Sequence, residues 1–285
     1  MRVLDELAAR IERQERAVPG LKPDNQARIV FHAHGAHTRK PVAVVYLHGF
    51  TASQAEGAPA HRAIADACEA HLYLHRLSGH GSDLPEAMAG ITPEHWRADA
   101  DEALDIGLCL GARVVLVATS MGASLALDLA IRRPDDVAAV IAWSPGIQAH
   151  DRDQLIMATR LQGAVSPPGE RTSFQRRYWS SMIHSDGYRA IARVFDQWMR
   201  PERFATINCP VFFGLWDGGA DDRDTLTSTA AMRDAFDALG TSPSQRRLVA
   251  YARAAHVLAS PERSPVAAAV LADSLAFLRE MGIAR

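Results

Sequence analysis

Cysteine, long apolar runs and an excess of either charge are all scarce in this sequence of 285 residues. The three cysteines, Cys68, Cys109 and Cys209, lie far apart and lack a metal-binding spacing. They argue against a disulfide framework, and each is expected to be a small buried hydrophobic residue. The net charge is −2, from 31 basic and 33 acidic residues, so nothing suggests a nucleic-acid partner or an anionic membrane surface.

Membrane-spanning segments are also missing, because no stretch approaches the ~20 apolar residues that a span needs. The first 20 residues, MRVLDELAARIERQERAVPG, place charged and apolar residues at helical spacing. This pattern predicts an amphipathic helix and not a signal peptide. We therefore expect a cytoplasmic protein with no integral membrane segment.

Cofactor fingerprints are absent as well, so no cofactor is expected. The segment HAHGAH carries His32, His34 and His37. Residues two apart share a strand face, which could suggest a metal site. No carboxylate or cysteine is placed to join these histidines, so a solvent-facing edge strand is the favoured interpretation and no metal is expected.

Apolar segments alternate with helical patterns along most of the chain. The predicted strands are ARIVFHA, VAVVYLHG, LYLHRL, RVVLVAT, VAAVIAWS, PVFFGLW and RRLVAYA. The first two are close together and are expected to pair at the start of a sheet. One helix should begin with Thr92 as N-cap and Pro93 at its first position, and end at Gly111. Near-continuous apolar strands separated by helices predict an α/β fold with a mainly parallel central sheet flanked by helices.

Residues 146–208, which we call the insert, interrupt this alternation. The insert shows no convincing strand and is rich in aromatic residues and methionine. It is expected to be a helical cap, packed partly on itself and partly over the carboxyl ends of the strands, where α/β sheets place their sites. The predicted core is then 1–145 and 209–285. One hypothesis is that Trp179 and Trp198 line the pocket; an aromatic lid could also serve as a homodimer face.

The stretch VVLVATSMGASLAL places Ser120 between a strand and a helix with no loop. Such a bend forces strained backbone angles at its apex, and the residues two positions away must be small. Ala118 and Gly122 meet that requirement. The serine would then lie at a helix N-terminus, where free N–H groups favour negative charge. The pattern predicts that Ser120 is a nucleophile; the alternative is a simple helix N-cap.

A nucleophilic serine needs a base and an orienting acid, which follow it in this architecture in the order acid, then histidine. His256 comes just after the last predicted strand and is the predicted base. The loop after PVFFGLW offers four aspartates: Asp217, Asp221, Asp222 and Asp224. Asp224 fits the register best, with Ser228 or Thr227 capping the next helix. Asp217, at the strand tip, remains the alternative acid.

An oxyanion formed at Ser120 would need two backbone donors. The first expected donor is the amide of Met121, directly after the serine. The second is the amide of Phe50, in the loop after VVYLHG. His48 in that loop is expected to shape it through hydrogen bonds and not to act as a second base.

Together these residues resemble the α/β-hydrolase superfamily, in particular its carboxylesterase and monoacylglycerol-lipase-like branch. The segments that carry the resemblance are LHGFTAS, HRLSGHGSD, TPEHWRADADEAL, ATSMGASLAL and AHVLAS, in the expected order. The resemblance implies the α/β-hydrolase fold, a small-molecule ester or acyl substrate, and ester cleavage through an acyl-enzyme. His80 and Gly81 would shape a loop beside the site. The chain departs from the usual pattern at Ala118, in the acid loop DGGADDRD and in the insert.

Two other functions fit the same residues. The first is another hydrolysis by the same residues, of an amide, a thioester, a lactone or a carbon–carbon bond. The second is a non-catalytic protein of this fold that binds a small apolar ligand under the insert. A serine that reacts with acylating reagents would separate the hydrolases from the binding protein.

Overall fold

A computed structural model describes residues 3–33, 38–167 and 169–285 of the protein. The strands are β1 Arg28–Val30, β2 Lys40–Leu47, β3 His71–Leu74, β4 Gly111–Thr119, β5 Val137–Trp143, β6 Ala164–Val165, β7 Ile183–His184, β8 Val211–Gly219, β9 Asp222–Arg223 and β10 Arg246–Tyr251. The helices are α1 Val3–Arg16, α2 Ala60–Ala67, α3 Pro93–Leu110, α4 Met121–Arg132, α5 Arg152–Thr159, α6 Ser173–Tyr178, α7 Ser185–Trp198, α8 Pro201–Phe204, α9 Thr229–Asp237 and α10 Ala267–Glu280.

One eight-stranded sheet forms the centre of the fold. Its strand order is β1-β3-β2-β4-β5-β8-β10, and β9 pairs with β8 outside this path. The pairs from β3 to β10 are parallel, whereas β1 and β9 run antiparallel to their neighbours. The predicted α/β-hydrolase architecture, with a mainly parallel sheet and flanking helices, is therefore confirmed.

Apolar side chains project from both faces of the sheet into two hydrophobic cores. In β2, Val45 and Leu47 join a core with α3 and α4, while Val44 and Tyr46 join a second core with α2 and α10. Since successive side chains in a strand point to opposite faces, a strand buried on both sides needs an unbroken apolar run. This requirement explains why the strand segments read as continuous hydrophobic stretches.

Local signals in the sequence were reliable at helix ends. The amphipathic N-terminal helix is present as α1, and α3 begins after Thr92, whose backbone N–H donates to His95 Nδ1 at 3.1 Å. Strand pairing was less predictable. The first two strands do not pair with each other, because β1 lies at the sheet edge and pairs antiparallel with β3. Closeness along the chain does not decide lateral neighbours when a later strand fits between them.

The insert holds α5, β6, α6, β7, α7 and α8. The expected helices are present, but β6 and β7 form a two-stranded antiparallel ribbon where no strand was expected. Each of these strands has only two residues, too few for a periodic pattern in the sequence. Helix α7 buries one face, including Val194 and Trp198, against the core that contains α3 and α4, which we call the main core.

The expectations about the cysteines and about the histidine segment had mixed outcomes. Cys209 is buried and Cys68 partly buried, but Cys109 is exposed on α3, so the expectation of three buried thiols was wrong for Cys109. His34 and His37 lie outside the described residues, and His32 follows the end of β1. None of the helices in the described part of the chain is long and apolar enough to span a membrane.

Candidate active site

Ser120 occupies the apex of a sharp turn from β4 into α4. Its backbone angles are φ 53° and ψ −121°, a left-handed conformation that is strained for a residue with a side chain. Gly122 is needed two residues later, because a Cβ there would lie 2.1 Å from the carbonyl oxygen of Leu47. Ala118, two residues before the serine, is fully buried. The turn thus has the small neighbours that the sequence pattern predicted.

The backbone around Ser120 is held by neighbouring loops. Its N–H donates to the carbonyl oxygen of Trp143 at 3.0 Å, and its own carbonyl oxygen accepts from Gly146 N–H at 2.9 Å. The side chain of Ser120 does not cap α4. A serine that only capped the helix would use its hydroxyl group for that bond. The geometry therefore gives no support to the N-cap alternative.

His256 and Asp224 form a close pair at the carboxyl ends of β10 and β8. His256 Nδ1 donates to Asp224 Oδ2 over 2.6 Å. The other donors to the carboxylate come from its own loop: the N–H groups of Leu226 at 2.8 Å and Thr227 at 3.2 Å, and the Thr227 hydroxyl at 3.0 Å. Asp224 is fully buried, whereas the imidazole keeps 12% of its surface exposed. This arrangement fixes the ring and leaves its Nε2 edge available.

The other three aspartates of the loop are engaged elsewhere or exposed. Asp217 accepts from Arg233 at 2.6 Å, and Asp222 accepts from the Trp216 indole N–H at 2.6 Å. Asp221 is exposed at the tip of the β8–β9 hairpin. Of the four, the structure brings Asp224 to His256. The predicted cap of the following helix is Ser228, whose hydroxyl accepts from Ala231 N–H at 3.2 Å.

Burial and charge act in opposite directions on this pair. Burial by itself would lower the pKa of His256, but the charge and hydrogen bond of Asp224 outweigh it, so the pKa is raised. Burial would likewise raise the pKa of Asp224, yet the positive charge of His256 and the hydrogen bonds to the carboxylate lower it. Each group therefore favours the charged form of the other, which is what an imidazolium-stabilising pair requires.

The loop after β2 lies directly beside Ser120. A Cβ on Gly49 would be 3.1 Å from the Ser120 Cβ. His48 donates from Nδ1 to Gly49 O at 2.9 Å and accepts at Nε2 from Leu77 N–H at 3.2 Å, and burial lowers its pKa to about 4. His48 is thus a neutral loop-shaping residue, as expected. Within the described residues, the amide of Phe50 donates no hydrogen bond to the protein.

Ser120 and His256 form no hydrogen bond with each other in the part of the chain that the structure describes. Contacts of this kind are often long in a site without substrate and shorten when the substrate binds. The side chains that could approach a substrate lie at the carboxyl ends of the sheet: Ser120 after β4, Phe50 after β2, and His256 after β10. In open α/β sheets this edge is where ligands bind.

The insert contacts the same edge of the sheet. Trp179 packs with Ala52 and Val257, the neighbours of the Phe50 loop and of His256. The ring of Tyr188 meets that of Phe50 edge to face, with centroids 5.5 Å apart. Trp198 is buried in the core shared with α3 and α4, where the Arg97 guanidinium lies 3.7 Å from its ring centroid. Trp179 therefore contacts the loops that carry Phe50 and His256, while the capping role of the insert and the pocket-lining roles of Trp179 and Trp198 stay predictions.

Sequence reasoning missed two residues of this neighbourhood. Thr227 was considered only as a helix cap, but its hydroxyl supports Asp224. Glu56 was not considered, although its carboxyl group is buried beside Gly49. A charged residue among small ones in SQAEG was the available signal. Among the described residues, no group of histidine, cysteine and carboxylate side chains could hold a metal ion.

A family model described as "Alpha/beta hydrolase family" matches residues 44–280. Because this match spans most of the chain, the protein belongs to the α/β-hydrolase family. A comparison with curated proteins finds no match.

Solved structures give the same fold. A chain described with LipS and LipT, two metagenome-derived lipolytic enzymes, is 17% identical, with a TM-score of 0.73 over 91% of this chain and 99% of that one. A soluble variant of monoglyceride lipase from Saccharomyces cerevisiae is 13% identical, with a TM-score of 0.68 over 90% of this chain and 91% of that one. The enol-lactonase from Burkholderia xenovorans LB400 is 18% identical, with a TM-score of 0.60 over 89% of this chain and 96% of that one. At these identities the likeness establishes the fold.

Proposed function

We propose that the protein is a serine hydrolase that cleaves carboxylic esters through an acyl-enzyme intermediate. The observation that carries the proposal is the strained backbone of Ser120, together with a hydroxyl group that forms no capping hydrogen bond to helix α4. The nucleophile is Ser120, the base is His256 and the acid that orients the base is Asp224. The amides of Phe50 and Met121 form the oxyanion hole.

In the first half of the proposed reaction, His256 Nε2 accepts the proton of Ser120 as the oxygen attacks the ester carbonyl carbon. The carbonyl oxygen becomes negative and accepts hydrogen bonds from the N–H groups of Phe50 and Met121. These donors are already oriented, so they need not rearrange as the charge develops. His256 then gives its proton to the departing alcohol. The acyl group remains on Ser120.

In the second half, water enters the site and gives a proton to His256 while its oxygen attacks the acyl carbon. The same oxyanion donors hold the second intermediate. His256 returns the proton to Ser120 as the bond to the acyl group breaks, and the free acid leaves. Asp224 accepts from Nδ1 throughout, which keeps Nε2 facing the reacting atoms and stabilises the imidazolium.

The insert acts in this proposal as a cap that shapes the acyl pocket. Its support is the contact of Trp179 with Ala52 and Val257, together with the Ser180 N–H bond to Thr51 O at 2.8 Å. The cap is also tied to the N-terminal region, because Lys22 Nζ donates to Trp179 O at 2.7 Å. The proposed substrates are acyl or monoglyceride-like esters.

The proposal is tested with a series of p-nitrophenyl esters of increasing acyl length. The wild-type protein should hydrolyse members of the series, and Ser120→Ala should lower kcat by about 10⁴–10⁶-fold while its free energy of unfolding changes by less than about 1 kcal/mol. A Ser120→Ala protein that retains wild-type turnover would rule out this mechanism.

Thioester, lactone and amide substrates, assayed with the same two proteins, separate the alternatives. Activity confined to thioesters, lactones or amides, and lost in Ser120→Ala, would assign the site to another acyl-transfer reaction. A folded wild-type protein that turns over no acyl substrate would favour the ligand-binding function.

A further inference from the structure

A second buried carboxyl group lies beside the proposed catalytic residues. Glu56 is in the short 3₁₀ turn Gln54–Gly57, directly after the Phe50 loop, and only 3% of its surface is exposed. Its Oε2 accepts from Gly49 N–H at 2.6 Å. Among the described residues it forms no ion pair with lysine or arginine. Burying a carboxylate without a cation is costly, so this placement requires a reason.

Glu56 and Ser120 lie on two sides of Gly49. A Cβ built on Gly49 would be 3.0 and 3.1 Å from the two Glu56 carboxylate oxygens and 3.1 Å from the Ser120 Cβ. Any side chain at this position would separate the carboxyl group from the serine. Glycine therefore allows the carboxyl group, the loop backbone and the serine to come together.

A hydrogen-bonded chain links Glu56 to the strand that carries Ser120. Tyr46 on β2 places its hydroxyl 3.4 Å from Glu56 Oε2 and 3.0 Å from Thr119 Oγ1. Thr119 is the residue before Ser120. The carboxyl group thus contacts the oxyanion loop directly and the end of β4 through Tyr46.

The groups that face Glu56 come from several elements. From β2 it meets Tyr46, whose hydroxyl also contacts Thr119 on β4, and from the loop after β10 it is influenced by the charge of His256. His61 on α2 packs against the Tyr46 ring, and its own pKa is lowered by burial to about 4, so it is neutral near pH 7.

The ionisation of Glu56 and that of His256 affect each other. Burial raises the pKa of Glu56 to about 7, against the opposing effects of the Gly49 N–H, the charge of His256 and Tyr46. In return, the Glu56 charge adds to that of Asp224 in raising the pKa of His256. One imidazole therefore interacts with two carboxyl groups.

We propose that Glu56 is a positioning residue of this site, which holds the oxyanion loop through Gly49 N–H and whose negative charge stabilises the protonated form of His256. The second part rests on the proposed function, in which His256 takes the proton of Ser120. Glu56 itself neither gains nor loses a proton in that step. The contact with Gly49 holds the backbone next to the Phe50 amide, so the loop and the base are influenced by one side chain.

The test compares Glu56→Gln with the wild-type protein. Glutamine keeps an oxygen acceptor for Gly49 N–H and nearly the same volume, but removes the charge. The pKa of His256, followed by NMR of the imidazole nitrogens, should fall by about 1 unit. Ester kcat should fall about 10-fold with KM within about 2-fold, because the interaction is stronger when His256 is protonated. Glu86→Gln, at an exposed site, is the matched control and should change neither quantity.

A second measurement uses the wild-type chain and does not depend on folding of the variant. The carboxyl carbon of Glu56, followed by ¹³C NMR, should titrate near neutral pH, and the His256 resonance should show a second inflection at the same pH. Titration of Glu56 near its ordinary value of 4.5, with a single inflection for His256, would overturn the proposal. An unchanged His256 pKa in Glu56→Gln would do the same.

These results are independent of whether esters are hydrolysed. If the wild-type protein hydrolyses no ester, the proposed function fails while the NMR titrations still decide the coupling of Glu56 and His256. If esters are hydrolysed and Glu56→Gln matches the wild type in kcat and in the His256 pKa, the role of Glu56 fails and the proposed function stands.

Discussion

Helix α4 has a cluster of buried charge near its C-terminal end and the Ser120 site at its N-terminal end, and the two regions differ in how charge is balanced. Near the C-terminal end, Asp128 is buried and accepts from three arginines: Arg97 at 3.0 Å, Arg132 at 2.7 Å and Arg203 at 2.7 Å. Cations outnumber the carboxylate. Burial would raise the pKa of Asp128, but the arginines lower it, so its charge is fixed near neutral pH.

At the N-terminal end the balance is reversed. Two buried carboxyl groups, Asp224 and Glu56, interact with the single imidazole of His256. Among the described residues no lysine or arginine pairs with either carboxyl group, and burial raises the pKa of Glu56 to about 7. A carboxylate with several cationic partners stays ionised near neutral pH, which suits a structural role. A buried carboxyl group without such partners can titrate near neutral pH, which suits acid–base chemistry.

The largest effect is expected at the orienting acid. Asp224→Asn should lower kcat by about 10⁴-fold, because an amide can stabilise neither the Nδ1–H tautomer nor the imidazolium. The matched control is Asp217→Asn in the same loop, where a partly exposed ion pair with Arg233 is lost and kcat should stay within about 2-fold. Steady-state ester kinetics measure both. An equal loss in the two variants would remove the distinction between the two aspartates.

A smaller effect, on stability, is expected at the arginine cluster. Asp128→Asn should lower the free energy of unfolding by about 2–4 kcal/mol, since three arginines lose a shared partner while keeping some contact with water. Urea denaturation measures this change. Asp101→Asn, which removes a half-exposed partner of Arg132, should lower it by less than about 1 kcal/mol. The folded Asp128→Asn protein should keep the wild-type kcat. A loss of kcat as large as that of Asp224→Asn would refute the distinction between a structural and a catalytic end of α4.

The same cluster has a defined pH dependence. The pKa of Asp128 is lower in the folded protein than its ordinary value of 3.8. Its stabilisation is therefore complete above that value and is lost as the pH falls through the lower folded-state pKa. Unfolding measured below pH 3.8 should accordingly show a steeper loss for the wild type than for Asp128→Asn.

A change in substrate selectivity is expected in the insert, where two tryptophans differ in their surroundings. Trp198 packs in the main core with the Arg97 guanidinium 3.7 Å from its ring centroid, so Trp198→Ala should lower the free energy of unfolding by about 3–5 kcal/mol. Trp179 lies against the site, so Trp179→Ala should change the ratio of kcat/KM between long and short acyl chains by about 10-fold. An unchanged ratio in Trp179→Ala would show that this side chain does not form the pocket wall.

The parts of the candidate site that depend on local geometry could be singled out from the sequence. Ser120 could be found because a strand, small neighbours and a helix follow one another directly, and His256 because it comes right after a strand. The choice between Asp217 and Asp224 depends on the β8–β9 hairpin, which turns one side chain toward Arg233 and the other toward His256. No local pattern specifies that turn.

The features that were missed depend on contacts between distant segments. Glu56 is buried because the Phe50 loop and the end of β4 close around it, and its spacing resembles that of any short polar turn. The pairing of β1 with β3 and the exposure of Cys109 likewise follow from how elements pack. The charge balance of a buried cluster cannot be predicted from local sequence, because its members come from distant segments of the chain.

The central claim, that Ser120 is an activated nucleophile, is tested most directly with a fluorophosphonate probe and peptide mapping of the adduct. The account predicts that the folded protein is labelled on Ser120 and that His256→Ala, still folded, abolishes the labelling. A folded wild-type protein that stays unlabelled, or carries the label on another serine, would contradict it.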